Sequence, residues 1–200
     1  MKSTTWLTST LTLIALAGSL AADPVTGWLN WRGPFQTGVS PETYENWSFE
    51  GEKALKWTYP LSGRGCPVIV DGRLYSLGYN GDASGPDQRI VLACLDPKTG
   101  AKIWEHRFND FISDTIYSRY GTGSPAVDPD TRNIYLMTST GLFSCFDREG
   151  KLLWQHSLME SFGRLTFPNG RTGAPVIDGE EVIVRGITSF WGSQGPARDR

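Results

Sequence analysis

Leu92-Ala93-Cys94-Leu95-Asp96-Pro97-Lys98-Thr99-Gly100-Ala101-Lys102-Ile103-Trp104 returns later in the chain as Phe143-Ser144-Cys145-Phe146-Asp147-Arg148-Glu149-Gly150-Lys151-Leu152-Leu153-Trp154. Gly100 and Gly150 lie 50 positions apart, and so do Trp104 and Trp154. A fixed period of that size, carried by short strands and tight turns, is the mark of a β-propeller. It says less about function, because such a scaffold hosts many activities.

The chemistry of the repeat is that of a turn followed by a wedge. Asp96 accepts hydrogen bonds from backbone two or three residues on and starts the turn. Gly100 supplies a backbone conformation that a Cβ would penalise. Trp104 then lays a flat ring between neighbouring sheets, with one N–H to satisfy. Asp147, Gly150 and Trp154 repeat the pattern in a turn one residue shorter, without an equivalent of Thr99. These seven residues read as scaffold.

Aligning the repeats gives strand order. Cys66-Pro67-Val68-Ile69-Val70 and Arg73-Leu74-Tyr75-Ser76-Leu77 flank Asp71-Gly72, a strong hairpin signal because both central residues of a type I′ turn need positive φ. Asp178-Gly179 repeats it between two further apolar runs. A third copy, 123–127 and 134–137, has a longer turn through Asp128-Pro129-Asp130. These are the two inner strands of each four-stranded blade, and the Asp…Gly…Trp segments supply the outer two.

Residues 54–60, with Trp57 placed 47 positions before Trp104, read as a lone outer strand that completes the last blade of a ring. The expected fold is therefore all-β: a partial β-propeller of antiparallel blades. Two blades are complete (66–107 and 123–157) and one is incomplete (173–200), making eleven strands with the lone one. A ring needs roughly four to eight blades. The chain thus reads as the N-terminal piece of a longer protein or a truncated reading frame. The alternative, a self-contained three-blade object, leaves two faces uncovered and would have to oligomerise.

The start reads as an export signal over residues 1–21. Lys2 gives a positive n-region, 11–22 is mostly apolar, and Ser19-Leu20-Ala21 suits cleavage. That run is short for a bilayer span, no later segment is apolar enough for one, and no Cys near the cut offers a lipid anchor. A periplasmic or extracellular location follows. Residues 22–53 form a lead-in, and 54–200 the incomplete propeller. The net charge of −2 and the lack of any Lys/Arg cluster argue against a nucleic-acid partner.

Cys66, Cys94 and Cys145 are expected as free thiols filling small core spaces. The last two occupy equivalent places in adjacent blades, beyond the roughly 7 Å Cα limit for a disulfide. His106 and His156 each follow the repeat Trp by two, an outer-strand register that suits a structural or solvent-facing role.

Short turns fall on one rim, while most long connections (80–87, 109–122, 157–172, 189–198) fall on the other. An elaborated face is where a scaffold meets its ligand. Tyr117, Arg119, Tyr120, Arg164, Arg171 and Trp191 are the candidate partner-face residues.

Ala93-x-x-Asp96-x-x-Thr99-Gly100-x-x-x-Trp104 resembles the repeat of pyrroloquinoline-quinone-like (PQQ-like) propellers, often called the tryptophan-docking motif. Asn30-Trp31-Arg32-Gly33-Pro34 with Gly38-Val39-Ser40 is similar to the start of exported members of that superfamily from environmental bacteria. The resemblance runs from Trp31 to the end and implies two functions. One is a non-catalytic exported scaffold that binds a protein or polysaccharide. An outer-membrane assembly lipoprotein of the superfamily is the analogy, although the missing anchoring Cys argues against that protein itself. The other is the front of a quinone-dependent alcohol or sugar dehydrogenase, which would bring PQQ and calcium. The adjacent cysteines that often flank the quinone are missing, and Asp110, Asp114 and Glu160 match no calcium-ligand motif. The scaffold reading is favoured, with no cofactor and no catalytic or metal-binding residue.

Overall fold

The computed structural model describes residues 26–43, 54–81, 86–109, 120–163 and 172–186. Gly27–Trp28 (β1), Val68–Val70 (β2), Arg73–Asn80 (β3), Arg89–Leu95 (β4) and Lys102–Phe108 (β5) form one antiparallel sheet in that order. Ala126–Val127 (β6), Ile134–Met137 (β7), Leu142–Phe146 (β8) and Leu152–Ser157 (β9) form the next. Val176–Asp178 (β10) and Glu181–Ile183 (β11) make the hairpin that starts a third. The architecture is a partial β-propeller, nearly all-β.

Each sheet meanders outward, so a row of side chains crosses it at one level. Tyr75 pairs with Cys94 and Cys94 with Trp104; one blade on, Tyr135 pairs with Cys145 and Cys145 with Trp154. In both blades the ladder slips one residue past the Cys, a bulge that leaves Ile103 and Leu153 facing outward. The bulge lets the strand turn its Trp toward the next blade.

The front of the first blade (Val68, Val70, Tyr75, Leu77, Leu92) packs on the rear of the second (Val127, Ile134, Leu136, Phe146). The front of the second (Tyr135, Met137, Phe143, Cys145) meets Ile177 and Val182 of the third hairpin. Trp104 spans the first seam. Its Nε1–H donates to the carbonyl of Arg148 at 3.1 Å, and its ring covers Gly150, where an added Cβ would lie 2.8 Å from Cδ2. Gly150 has φ +87°, so that notch suits glycine twice over. Trp57 repeats the arrangement one step earlier: Nε1–H donates to the Pro97 carbonyl at 3.0 Å, and the ring covers Gly100 at φ +73°. Trp104 and Trp154 have like settings, 5.7 Å from Tyr75 and 5.9 Å from Tyr135 respectively.

Several details differ from the sequence-based expectation. Residues 54–59 are not a strand. They run extended behind the first blade and are held by side chains: Trp57 on its notch, and Tyr59, whose hydroxyl donates to Glu105 at 2.9 Å. No neighbouring strand among the described residues offers their backbone a ladder. The eleventh strand is instead β1, in the lead-in, which pairs with the inner edge of β2. The two Asp-Gly hairpins also differ. Asp71 (φ 49°) and Gly72 (φ 69°) form the expected turn, but Asp178 pairs with Glu181, so Gly179 and Glu180 are the loop residues and only Gly179 has positive φ. The extra residue, Glu180, shifts the turn by one. Finally, a short helix, Leu158–Phe162 (α1), opens the 157–172 connection. Ser157 caps it by accepting the N–H of Glu160, and Leu158 and Met159 pack on the second core.

Burying an indole at the seam contributes on the order of 2–3 kcal/mol. Replacing Trp104 by Ala should lower unfolding stability by about 3–5 kcal/mol in a urea titration; a loss under about 1 kcal/mol would contradict the seam as drawn. The cysteines are all free, but only Cys94 and Cys145 are buried. Burial pushes both thiols up to about 11, whereas Cys66 is partly exposed and is not the core residue expected. A thiol reagent at neutral pH should label Cys66 alone in the native protein and all three after denaturation; rapid native labelling of Cys94 or Cys145 would contradict the packing.

Candidate functional site

Asp96, Thr99, Gly100 and Trp104, with Asp147, Gly150 and Trp154, all sit at blade junctions. Asp96 Oδ1 accepts the N–H of Lys98 at 2.7 Å and of Thr99 at 2.9 Å, and these bonds hold its carboxyl below the ordinary value. Thr99 Oγ1 accepts the N–H of Ala101. In the shorter turn Asp147 Oδ1 accepts from Lys151 at 2.8 Å. The polar groups of the motif are thus engaged within the turns. His106 joins them: its Nε2 bonds to the Gly150 carbonyl, and its ring stacks 4.6 Å from Phe146. His156, its counterpart one blade on, is exposed.

The same short-turn rim carries an ion network over the first seam. Arg148 Nη2 reaches the Asp71 carboxylate and carbonyl, each at 3.1 Å, and Arg73 donates to the Arg148 carbonyl and approaches Glu149 at 3.6 Å. Arg132, at a positive φ of 63°, points its guanidinium at the same Asp71. These charges are partly exposed, so each pair adds little stability; they fix how the turns of neighbouring blades meet.

Of the candidate partner-face residues, Tyr117, Arg119, Arg164, Arg171 and Trp191 lie outside the described residues. Tyr120 is described, and it is not on a face. It is fully buried in the first core, edge-on to Tyr79 at 5.5 Å. The glycine after it explains why: a Cβ on Gly121 would lie 2.6 Å from the backbone of Gly78. The backbone at Gly121 lies directly against that of Gly78, and Tyr120 beside it is packed into the first core. The Tyr120-Gly121-Thr122-Gly123 pattern was the available signal.

A Ca²⁺ ion takes six to eight oxygen ligands. Among the described residues no group of three or more His, Cys, Asp or Glu side chains is placed to hold a metal. Glu160 lies exposed on α1, while Asp110 and Asp114 fall outside the described residues.

The lead-in forms the feature that sequence reasoning left blank. β1 lies against β2, and the Val127 N–H donates to the Leu29 carbonyl at 2.8 Å, so the segment bridges the inner strands of both blades. Residues 30–38 fold into a knuckle. Asn30 Oδ1 accepts from Arg32 at 2.8 Å, Gly38 donates to the Arg32 carbonyl at 2.7 Å, and the Trp28 ring covers Gly33. Between knuckle and sheet lies a cavity of about 840 Å³. A smaller one, about 350 Å³, opens behind the first blade beside Trp57, Leu74 and Leu77.

No helix among the described residues is long and apolar enough to cross a membrane. No curated protein sequence matches the chain. Among solved structures, the quinohemoprotein alcohol dehydrogenase of Comamonas testosteroni is similar over 64% of this chain at 22% identity, with a TM-score of 0.43. The chain spans 18% of that protein's length. The PQQ_2 family, described as "Outer membrane protein assembly factor BamB", matches residues 20–190. With that match over most of the sequence, and the twofold recurrence of indole, glycine and aspartate, the chain belongs to this family of PQQ-like propeller repeats.

Proposed function

We propose that this chain is an exported, non-catalytic binding module that meets a protein or polysaccharide partner through its long-loop face. The observation that carries the reading is the use of the repeat residues. Asp96, Trp104, Asp147 and His106 direct their polar atoms into blade-to-blade or turn contacts, which supports reading them as framework. The family's description as an outer-membrane assembly factor agrees with a role in binding. Residues 1–21 act as a cleaved leader in this reading, and the mature protein works in the periplasm or outside the cell. Tyr117, Arg119, Arg164, Arg171 and Trp191 supply the contact surface: aromatic and Arg side chains are the types that dominate binding hot spots.

The full-length protein tests this in two assays. Co-sedimentation with purified cell-wall polysaccharide, or with outer-membrane β-barrel proteins in detergent, should show binding that falls by about tenfold or more when Arg119, Arg164 and Arg171 are all changed to Ala. Reduction of an artificial dye should not respond to added PQQ and Ca²⁺. Quinone-dependent turnover with an alcohol or sugar, or binding indifferent to the triple substitution, would overturn the proposal.

A further inference from the structure

The groove under the lead-in is built like a receptor for extended polypeptide. Its volume, about 840 Å³, lies in the range of small-ligand sites. Trp28, Leu29, Phe35, Pro41, Ile69 and Pro129 wall it. Phe35 is 63% and Ile69 42% exposed, so the walls are apolar and open to solvent. They are also preorganised, because the Asn30 and Gly38 hydrogen bonds and the Trp28–Gly33 contact fix the knuckle against the sheet.

Two further properties narrow the occupant. The first is an edge. Among the described residues β1 ends the strand order of its five-stranded sheet; the Leu29 carbonyl just beyond it is taken by Val127, so the edge on offer is Gly27 and Trp28, both of which line the groove. Gly27 lies so close to β2 that a Cβ would stand 2.5 Å from the Ile69 carbonyl. Such an edge offers main-chain hydrogen bonds to another strand. The second is charge. Glu42 and Asp71 are the ionisable lining residues, and both are acidic. Asp71 is engaged by Arg148, whereas the Glu42 carboxylate has no ion-pair partner among the described residues. Edge, apolar walls and one available carboxylate together favour a peptide over a saccharide or a nucleic acid.

We propose that this groove binds an extended peptide segment of another protein, laid antiparallel or parallel along the outer edge of β1, with apolar side chains against Phe35 and Ile69 and a Lys or Arg on Glu42. Asp71 and Pro129 both lie in turns that join the two inner strands of a blade, so the site lies on the rim opposite the long loops. It therefore stands whether or not the long-loop face binds a partner.

The test is a titration of the full-length protein with acetyl-Val-Lys-Val-Lys-Val-amide, read by tryptophan fluorescence and by calorimetry. The Lys peptide should bind about tenfold tighter than its Val-Glu-Val-Glu-Val counterpart, and Glu42→Lys should reverse that order. Phe35→Ala should weaken binding while leaving the thermal midpoint unchanged, since the ring is mostly exposed. Methylating alternate backbone nitrogens of the peptide should abolish binding. Absence of binding by the Lys peptide, equal affinity for both peptides, indifference to Glu42→Lys, or full binding by the methylated peptide would each overturn the proposal.

Discussion

Everything in this fold depends on an indole closing over a glycine in the neighbouring sheet. A blade cannot bury its own two faces; it needs a neighbour on each side. The Trp57–Gly100 and Trp104–Gly150 contacts fix where that neighbour stands, because the ring, its single N–H and the bare glycine must coincide. The Asp at the head of each turn ties down the loop that carries the glycine, and His106 adds a second bond to the same loop. The bulge after Cys94 and Cys145 aims the indole. One short motif thus encodes a turn, a strand irregularity and an inter-sheet joint.

That economy is why the blades were legible in the sequence. Side chains that recur at a 50-residue period, with alternating apolar strands between them, can be placed without coordinates. The features that escaped have no such recurrence. β1 is two residues long and begins at a glycine, too short to show alternation. Residues 54–59 carry the apolar pattern of a strand, yet pattern describes which side chains are buried, and Trp57 and Tyr59 are held without a ladder. Glu180 shifted a turn that the Asp-Gly pair alone would have put one residue earlier. Tyr120 looked like a loop residue because the close backbone approach at Gly121 is a tertiary fact.

The candidate site was legible in the same uneven way. The motif residues were read as framework; in the structure Asp96 and Asp147 bond within their turns and Trp104 bonds across the seam. Residues 22–53 were read only as a lead-in, yet the described part bridges two inner strands and shapes a cavity of about 840 Å³. Its knuckle is built from Asn30, Gly33 and Gly38, residues whose turn-forming chemistry is visible in sequence but whose position over β2 is set by packing. The ion network of Asp71, Arg73, Arg132 and Arg148 likewise joins turns far apart in sequence.

The central claim is that ring and glycine act as one unit, and a double-mutant cycle tests it. Unfolding free energies of the native protein, Trp104→Ala, Gly150→Ala and the double variant separate the contact from the backbone strain that any Cβ meets at positive φ. With the indole gone, the added methyl no longer collides with it, so Gly150→Ala should be less destabilising by at least about 1 kcal/mol in the Trp104→Ala background. Additivity of the two substitutions within about 0.3–0.5 kcal/mol would contradict the account.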